Sequence, residues 1–174
     1  MYVRPQTLDE ATAVLARGAA LVVGGGTDIY PVHAGRPVKG DVLDVTSIEG
    51  MSGLIETESH FRLGGAMTWS RLIAASLPPA FDALKQAACE VGSKQIQNRG
   101  TIAGNLCNAS PAADGIPPLL ALDAAVELAS SGGVRHLPLS SFITGYRKTA
   151  RNPDEILTGV LVPKSAARGH AAFA

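Results

Sequence analysis

The apolar and polar positions at the start of the chain follow a helical spacing and then a strand-like run. Thr7 can cap a helix N-terminus, and Glu10 three residues later can reach back to it, which is the spacing of a capping box. Apolar residues recur at helical spacing across 8–15, and Gly18 is suited to end the helix. The apolar run at 20–23 then predicts a short buried strand that leads into three consecutive glycines.

The middle of the chain changes between strand and helix patterns. Residues 41–48 predict a second strand, and the segments Leu54–Glu56 and 61–63 flank a polar turn, which predicts a β-hairpin. Thr68 is suited to cap the helix that follows, and residues 79–91 form an amphipathic pattern that predicts another helix. No internal repeat is present, so we expect a mixed globular fold.

A long segment without clear periodicity comes next, from residue 92 to residue 115. Irregular segments of this length inside a compact domain are typically functional or disordered. Because this one is rich in Gly, Asn, Thr and Ser and has few charges, we predict a fixed functional loop. After it, residues 116–124 predict a short helix, and the remaining apolar segments predict three antiparallel strands, at 125–130, 134–139 and 155–163.

The order of these segments predicts an α+β fold with two lobes. A small N-terminal β/α lobe would span residues 1–53, and a larger lobe with an antiparallel sheet and helices would span residues 54–174. The triple glycine lies in the first lobe and the long irregular segment in the second. If both face one cleft, a ligand can be held between the lobes.

Composition and charge exclude several classes of function. The chain has 174 residues, with 15 Lys plus Arg balanced by 15 Asp plus Glu, and it has no dense basic block, which argues against nucleic-acid binding. No apolar run approaches the roughly 20 residues that a membrane span needs, and the N-terminus lacks the pattern of a secretory signal. Two distant cysteines fit a reducing cytoplasm and supply too few ligands for an iron–sulfur cluster or a zinc site on this chain. We therefore expect a cytoplasmic protein without a metal site of its own.

The glycine motif "GGGTD", which starts at Gly24, is suited to hold a phosphate. Several backbone N–H groups can converge on an anion where no Cβ blocks the approach, and Thr27 adds a hydroxyl donor. A tight turn between strand and helix explains the glycines equally well. A P-loop lysine is missing, and the Rossmann fingerprint would need a glycine where Ile29 stands. Asp44 lies near the expected ribose-binding position, so a Rossmann site stays an alternative, weakened because a helix rather than a strand is predicted to open the chain.

The second motif, "RGTIAGNLCNASPAADG", repeats the chemistry of the first. Thr101, Gly104 and Asn105 combine a hydroxyl, a small residue and a side-chain amide. Ser110 begins a turn, and Asp114 directly precedes a predicted helix. One such motif in each lobe suggests a long ligand with a pyrophosphate in its middle.

Four motifs, "VVGGGTDI", "NRGTIAGNLCNASPAAD", "GYRKT" and "PDEIL", occur in this order along nearly the whole chain. In them the chain resembles the FAD-binding (medium) subunit or domain of the molybdenum hydroxylase family, which includes xanthine dehydrogenase and carbon monoxide dehydrogenase. The resemblance implies the two-lobed flavin-binding fold of the vanillyl-alcohol oxidase type. Family members continue into a further C-terminal domain, and we expect this domain to be absent from this chain.

The resemblance also implies the cofactor-binding residues. Residues 22–29 would line the pyrophosphate, together with Thr101. Asp114 would bond a cofactor hydroxyl, although it could equally cap the helix that follows, and Leu157 would lie near the isoalloxazine, although an ordinary strand core residue is the simpler interpretation. The full predicted set is Val22, Val23, Gly24, Gly25, Gly26, Thr27, Asp28, Ile29, Thr101, Gly104, Asn105, Ser110, Asp114 and Leu157.

Other conspicuous residues receive simpler interpretations. Arg147 and Lys148 of "GYRKT" would lie near the cofactor or a partner subunit, or form a solvated basic pair. Trp69 is interpreted as a core residue, and Cys89 and Cys107 as small buried fillers. No residue is assigned a catalytic proton-transfer role.

The function implied by the resemblance is electron transfer through FAD. Electrons would pass from 2Fe–2S clusters on a small partner subunit, supplied by a molybdenum cofactor on a large partner subunit, to NAD or another acceptor. Two alternatives stay open: a non-catalytic nucleotide-binding or assembly module, and a Rossmann-type nicotinamide enzyme that uses Asp44.

Overall fold

The computed structural model describes residues 1–169. Its N-terminal part is a three-stranded parallel sheet, in the order β1-β3-β2, with helices at its sides. The elements in chain order are β1 (Tyr2–Val3), α1 (Leu8–Ala16), β2 (Ala20–Val23), α2 (Ile29–Val32) and β3 (Asp41–Asp44). Because β3 is central, β2 forms a free edge of this sheet.

Helix α1 begins at the predicted capping box. The Oγ1 atom of Thr7 accepts a hydrogen bond from the backbone N–H of Glu10 at 3.3 Å, and the Glu10 carboxylate accepts from the N–H of Thr7 at 3.5 Å. The buried face of the helix carries Ala11 and Leu15, which pack with Leu43 of β3 in one apolar cluster. The predicted first helix and both predicted strands of this lobe are confirmed.

The chain opens with a strand, which corrects the prediction that a helix opens it. Tyr2 pairs with Val42 and Val3 with Leu43, in parallel register. Two residues are too short for an alternating pattern to be visible in the sequence, so only the pairing with β3 reveals this strand. The argument against a Rossmann site that relied on a helix as the first element was therefore wrong.

The larger part is built on a five-stranded antiparallel sheet with the order β4-β5-β10-β6-β7. The predicted hairpin and all three predicted later strands are present in it. Its central strand is buried at nearly every position: Leu157, Val160 and Val162 belong to the main core, and Ile156 belongs to the smaller N-terminal cluster. The strands are β4 (Leu54–Glu56), β5 (His60–Gly64), β6 (Ala125–Ser130), β7 (Gly133–Pro138) and β10 (Ile156–Pro163).

Helices and one small hairpin complete this part. A 3₁₀ turn at Pro79–Phe81 leads into α4, and Thr68 caps α3 as predicted, with its Oγ1 atom accepting from the N–H of Arg71 at 3.3 Å. The main core joins these helices to the sheet through fully buried side chains such as Trp69. The remaining elements are α3 (Trp69–Ala74), α4 (Asp82–Glu90), α5 (Lys94–Gln97), α6 (Ile102–Asn108), α7 (Ile116–Ala121), α8 (Leu139–Phe142), β8 (Ile143–Gly145) and β9 (Lys148–Thr149).

The segment 92–115, predicted to be irregular, contains two helices. Helix α6 begins after Thr101, whose Oγ1 atom accepts from the N–H of Gly104 at 3.1 Å, and it ends at Ala109, which has a left-handed φ of 44°. Helices of four and seven residues are too short to show a repeating apolar face. Thr101 is therefore an N-cap, a role that we did not assign to it.

The protein has two buried apolar clusters, and the smaller one contains residues from both sides of the predicted boundary at residue 53. The smaller cluster contains Ile48 and Met51 from the first part and Ala66 and Ile156 from the second. The division at residue 53 stays a prediction, and the last five residues of the second predicted lobe, 170–174, lie outside the described part. Within residues 1–169, none of the helices combines the length and apolar character needed to cross a bilayer.

Candidate functional site

A cleft of about 540 Å³ runs between the glycine turn after β2 and helix α6. This volume is within the range of roughly 300–1,000 Å³ that is typical of cofactor and small-molecule sites. Twelve of the predicted site residues line it: Val22, Gly24, Gly25, Gly26, Thr27, Asp28, Ile29, Thr101, Gly104, Asn105, Asp114 and Leu157. The fold therefore brings the two predicted motifs to one concave surface.

Each glycine of the triple-glycine turn stands at a close approach. A Cβ on Gly24 would lie 2.6 Å from the Oγ1 atom of Thr101, and a Cβ on Gly25 would overlap the carbonyl of Arg99. Gly26 has a φ of +72°, and a Cβ there would overlap the ring of Tyr30. The turn is consequently the place where the first lobe touches the segment that leads into α6, which gives the glycines a packing reason independent of any ligand.

The start of α6 supplies the opposite side of the cleft. Thr101 is only 3% exposed, and its hydroxyl is held by its capping bond and by contact with Gly24. Asn105, one turn further on, carries a buried Oδ1 atom with no hydrogen-bond partner within the described residues. A buried acceptor without a partner is rare in folded proteins, so this atom marks a place where a ligand donor or a water is expected.

The remaining predicted residues divide between the cleft and its surroundings. The N-cap of α7 is Gly115, without a side-chain cap bond, so Asp114 does not cap this helix and lines the cleft instead. Leu157 is 3% exposed and belongs to the main core, as its simpler interpretation predicts, and it also lines the cleft. Val23 and Ser110 are not among the lining residues: Val23 is buried, and the Ser110 hydroxyl accepts from the N–H of Ala112 at 3.3 Å.

Several lining residues were not predicted. Gly65 follows β5, and a Cβ on it would overlap the carbonyl of Leu157, so the pair Gly64–Gly65 after a strand was a signal that could have identified it. The cleft also includes the free edge of β2 at Ala20 and Leu21, where no side-chain chemistry marks the sequence. Further unpredicted residues line the cleft: Val91, Gly92, Ile96, Gly100, Ala103, Cys107, Asn108 and Arg151.

The two cysteines differ, which corrects the prediction that both are buried fillers. Cys89 is exposed, whereas burial raises the pKa of the Cys107 thiol to about 11, slightly opposed by the nearby charge of Arg151. Cys107 is therefore a neutral thiol at the cleft wall. No group of three or more potential metal ligands occurs among the residues that the structure describes.

The "GYRKT" segment is exposed and tied to the end of α6. The guanidinium of Arg147 donates to the Oδ1 atom of Asn108 at 2.9 Å, and its backbone N–H donates to the carbonyl of Ala109. Lys148 is exposed. Trp69 is 1% exposed, which confirms its core interpretation, although it also reaches the cleft wall.

Asp44, the residue on which the Rossmann alternative depends, is already engaged and does not line the cleft. Its carboxylate accepts from the hydroxyl of Tyr2 at 2.5 Å and from Thr46, at 2.9 Å from the backbone N–H and 2.6 Å from Oγ1. Burial alone would raise the pKa of Asp44, but the hydrogen bonds from Thr46 and Tyr2 and the charge of Arg4 lower it. This carboxylate stabilises the parallel sheet and is not available for a ribose.

Comparison with known proteins identifies the family of the chain. Residues 1–165 match the family described as the FAD binding domain in molybdopterin dehydrogenase. The chain is 33% identical to a nicotinate dehydrogenase FAD-subunit from Eubacterium barkeri, covering 99% of this chain and 61% of that protein. It is also 33% identical to a xanthine dehydrogenase FAD-binding subunit from Escherichia coli O157:H7, covering 93% of this chain and 57% of that protein.

The fold agrees with a solved structure of carbon monoxide dehydrogenase from Hydrogenophaga pseudoflava. The TM-score is 0.86 at 27% sequence identity, and the match covers 93% of this chain and 58% of that one. The chain thus spans about three fifths of the length of the relatives that it matches. The predicted α+β flavin-binding fold is confirmed, and by its sequence and its fold the chain belongs to the family of FAD binding domains in molybdopterin dehydrogenases.

Proposed function

We propose that the cleft between the glycine turn and α6 holds FAD and that the chain is the electron-transfer flavin domain of a molybdenum-containing dehydrogenase. The observation that carries the proposal is the contact of the two motifs at Gly24 and Thr101. Two segments distant in the sequence meet there, and residues of both line one cleft of about 540 Å³. That arrangement suits a dinucleotide better than a small ligand.

The pyrophosphate would lie at the glycine turn. Backbone N–H groups of Gly24, Gly25 and Gly26 can reach an anion without interference from a Cβ, and the hydroxyl of Thr27 adds a donor. On the other side of the cleft, the first N–H groups of α6 already donate within the chain, those of Ile102 and Ala103 to the carbonyls of Met67 and Gly65, so this side offers side chains rather than free N–H groups. Val23 and Ser110, outside the lining, would fix the backbone of the two segments.

Other parts of the lining also fit the cofactor. The unpartnered Oδ1 atom of Asn105 can accept a hydrogen bond from a cofactor hydroxyl, and Asp114 offers a carboxylate for another. Leu157 and the neutral thiol of Cys107 give part of the wall an apolar character suited to a flat aromatic ring. The residues present are therefore compatible with FAD along the cleft.

The chain's own residues bind and orient the cofactor rather than move protons. FAD supplies the electron chemistry when it is bound. No nucleophile–base arrangement lines the cleft among the described residues, since the one thiol is neutral and the carboxylate of Glu155 is paired with Arg135 at 2.5 Å. We therefore expect the protein to set the position and electrostatics of the ring.

Partner chains are the second part of the proposal. The names of similar proteins include a nicotinate dehydrogenase FAD-subunit, a nicotine 6-hydroxylase medium subunit and the subunit alpha of a 6-hydroxypseudooxynicotine dehydrogenase complex. By analogy, this chain would assemble in the cytoplasm with a molybdopterin-binding large subunit and an iron–sulfur small subunit that carries 2Fe–2S clusters. Its FAD would pass electrons to NAD or another acceptor.

Cofactor identification tests the proposal directly. We expect the purified protein, alone or co-expressed with its partner subunits, to take up FAD with visible flavin absorption and to release FAD on denaturation, identified by mass spectrometry. Titrations with FMN and NADH serve as controls and should show weaker binding. If the folded protein and its complex bind no FAD, the proposal is wrong, and a nucleotide-binding or assembly role becomes the better interpretation.

A further inference from the structure

The cleft is lined by one cationic side chain among the residues described, that of Arg151. The other charged residues in its wall are the carboxylates Asp28, Asp114 and Glu155. The ligand proposed for this cleft is itself an anion, because its pyrophosphate is doubly charged at neutral pH. A single positive charge in such a wall therefore has a strong effect on where and how the ligand binds.

The charge of Arg151 is not neutralised by the protein. Within the described residues, no carboxylate oxygen lies within ion-pair distance of its guanidinium, unlike Arg62 and Arg135, which pair with Glu127 and Glu155. Its Nη1 atom instead donates to two backbone carbonyls, of Glu155 at 2.6 Å and of Asn152 at 3.2 Å.

These two hydrogen bonds fix the guanidinium in place. The carbonyl acceptors hold one nitrogen, while Nε and Nη2 donate to no residue in the described part of the chain. The side chain is half-buried at the cleft wall. A positioned guanidinium with unused donors is suited to contact a negative or hydrogen-bond-accepting group of a ligand.

Helix α6 shows which end of the cleft Arg151 occupies. Thr101 at the N-terminus of the helix contacts the glycine turn, where the pyrophosphate is proposed. Helix α6 packs against strand β9, which ends two residues before Arg151, and Asn108 at the opposite end of the helix accepts from Arg147, directly before that strand. From Thr101 to Cys107 the helix rises about 9 Å. Arg151 thus lies away from the glycine turn, beside the thiol of Cys107 and on the same cleft wall as Leu157, where the flavin ring is proposed to lie.

We propose that Arg151 contacts the isoalloxazine end of the bound cofactor and supplies the positive charge that favours its reduced state. This inference rests on the proposed FAD function. Reduction adds negative charge to the ring, and a nearby fixed cation stabilises that charge more than it stabilises the oxidised ring. Arg151 would therefore raise the reduction potential of bound FAD and tune how readily it accepts electrons.

The test compares variants at Arg151 with an exposed control. R151L removes the charge, R151Q removes the charge but retains an N–H donor for the backbone carbonyls, and R151K retains the charge. R17L, at the exposed end of α1, removes a charge far from the cleft. Each protein is loaded with FAD, and its midpoint potential is measured anaerobically by equilibration with a reference dye, alongside its affinity for oxidised FAD and its thermal unfolding.

We expect R151L and R151Q to bind reduced FAD roughly tenfold more weakly relative to oxidised FAD, which appears as a lower midpoint potential. R151K should stay near the wild type, and R17L should be unchanged. If R151L does not fold, the comparison of R151Q with R151K decides the matter. Wild-type potentials in the folded neutral variants would overturn the role of Arg151 while leaving FAD binding intact; a wild-type protein that binds no FAD would contradict the proposed function itself.

Discussion

At the scale of single residues, the glycine turn shows how one motif serves packing and binding together. Gly24 and Gly25 face Thr101 and the backbone of Arg99, so a side chain at either position would push apart the two segments that form the cleft. From the sequence we had attributed the glycines to the approach of a phosphate or to a tight turn. The contact with the second segment adds a third reason that could not be predicted, because it joins residues about 75 positions apart.

Gly25→Ala tests this close approach. The new Cβ would overlap backbone atoms of Arg99 and Gly100, which cannot move aside as a flexible side chain can. We expect a destabilisation of about 1–3 kcal/mol and a loss of FAD affinity of at least roughly tenfold. Thermal unfolding and flavin fluorescence titration measure the two effects. Gly132→Ala, where a Cβ would make only ordinary contact at 3.6 Å, is the matched control and should change neither.

The two thiols should differ in reactivity. With a pKa of about 11, only on the order of a thousandth of Cys107 is thiolate at pH 8, and its side chain is half-buried. Cys89 is exposed. A chromogenic disulfide reagent at pH 8 should therefore titrate one fast thiol per folded chain, and Cys89→Ser should remove it. Two fast thiols in the native protein would contradict the burial of Cys107.

At the scale of elements, the strongest sequence signals were local. The capping box at Thr7 and Glu10, the cap at Thr68 and the β-hairpin at Leu54–Glu56 each depend on contacts a few residues apart, and each was predicted. Strand β1 and helices α5 and α6 were missed because they are too short to show periodicity. Tertiary pairing, rather than local preference, stabilises such short elements.

Thr7→Ala tests the contribution of the capping box. The substitution leaves the N–H of Glu10 without its side-chain acceptor, whereas the bonds from the backbone N–H groups of residues 6 and 7 to the Glu10 carboxylate are retained. We expect a loss of about 1 kcal/mol in the free energy of unfolding, measured by urea denaturation. Thr144→Ala, an exposed threonine in strand β8, is the control and should be close to neutral. Equal effects of the two substitutions would contradict the importance of the cap.

At the scale of the whole molecule, ion pairs connect strands across the large sheet. Glu127 on β6 accepts from Arg62 on β5 at 2.7 Å and from the hydroxyl of Thr158 on β10 at 2.7 Å. Glu155, which precedes β10, pairs with Arg135 on β7. These contacts join residues 20 to 65 positions apart. The pairing of distant strands is therefore stabilised by carboxylates that must stay ionised.

These carboxylates predict a loss of stability in acid. Burial alone would raise the pKa of Glu127, but the hydrogen bonds from Arg62 and Thr158 lower it below its ordinary value of 4.5. The hydrogen bond from Arg135 lowers the pKa of Glu155, against the opposing effect of burial.

A carboxyl group with a lowered pKa in the folded state contributes stability above its unfolded pKa and loses it as the pH falls through the folded value. We therefore expect the free energy of unfolding to be steady near neutral pH and to decrease below about pH 4.5. Urea denaturation from pH 7 to pH 3 measures this decrease. Glu127→Gln should flatten part of the slope, whereas Glu58→Gln, a substitution at an exposed turn, should leave the slope unchanged. If the free energy of unfolding of Glu127→Gln decreased in acid as steeply as that of the wild type, the lowered pKa of Glu127 would not be a source of the acid sensitivity.

The sequence by itself determined the α+β class, half of the α-helices, most of the strands and the two motifs that line the cleft, because these depend on local apolar spacing, caps and small residues. Only the tertiary structure decided that Gly24 contacts Thr101, that the carboxylate of Asp44 accepts from Tyr2 and Thr46, and that Arg151 lines the cleft without an ion-pair partner among residues 1–169. The first of these relations joins the two motifs across the cleft, the second joins two strands of the parallel sheet, and the third depends on which residues come to line the cleft. Local spacing carries no information about such distant contacts, so the composition of the cleft had to come from the fold.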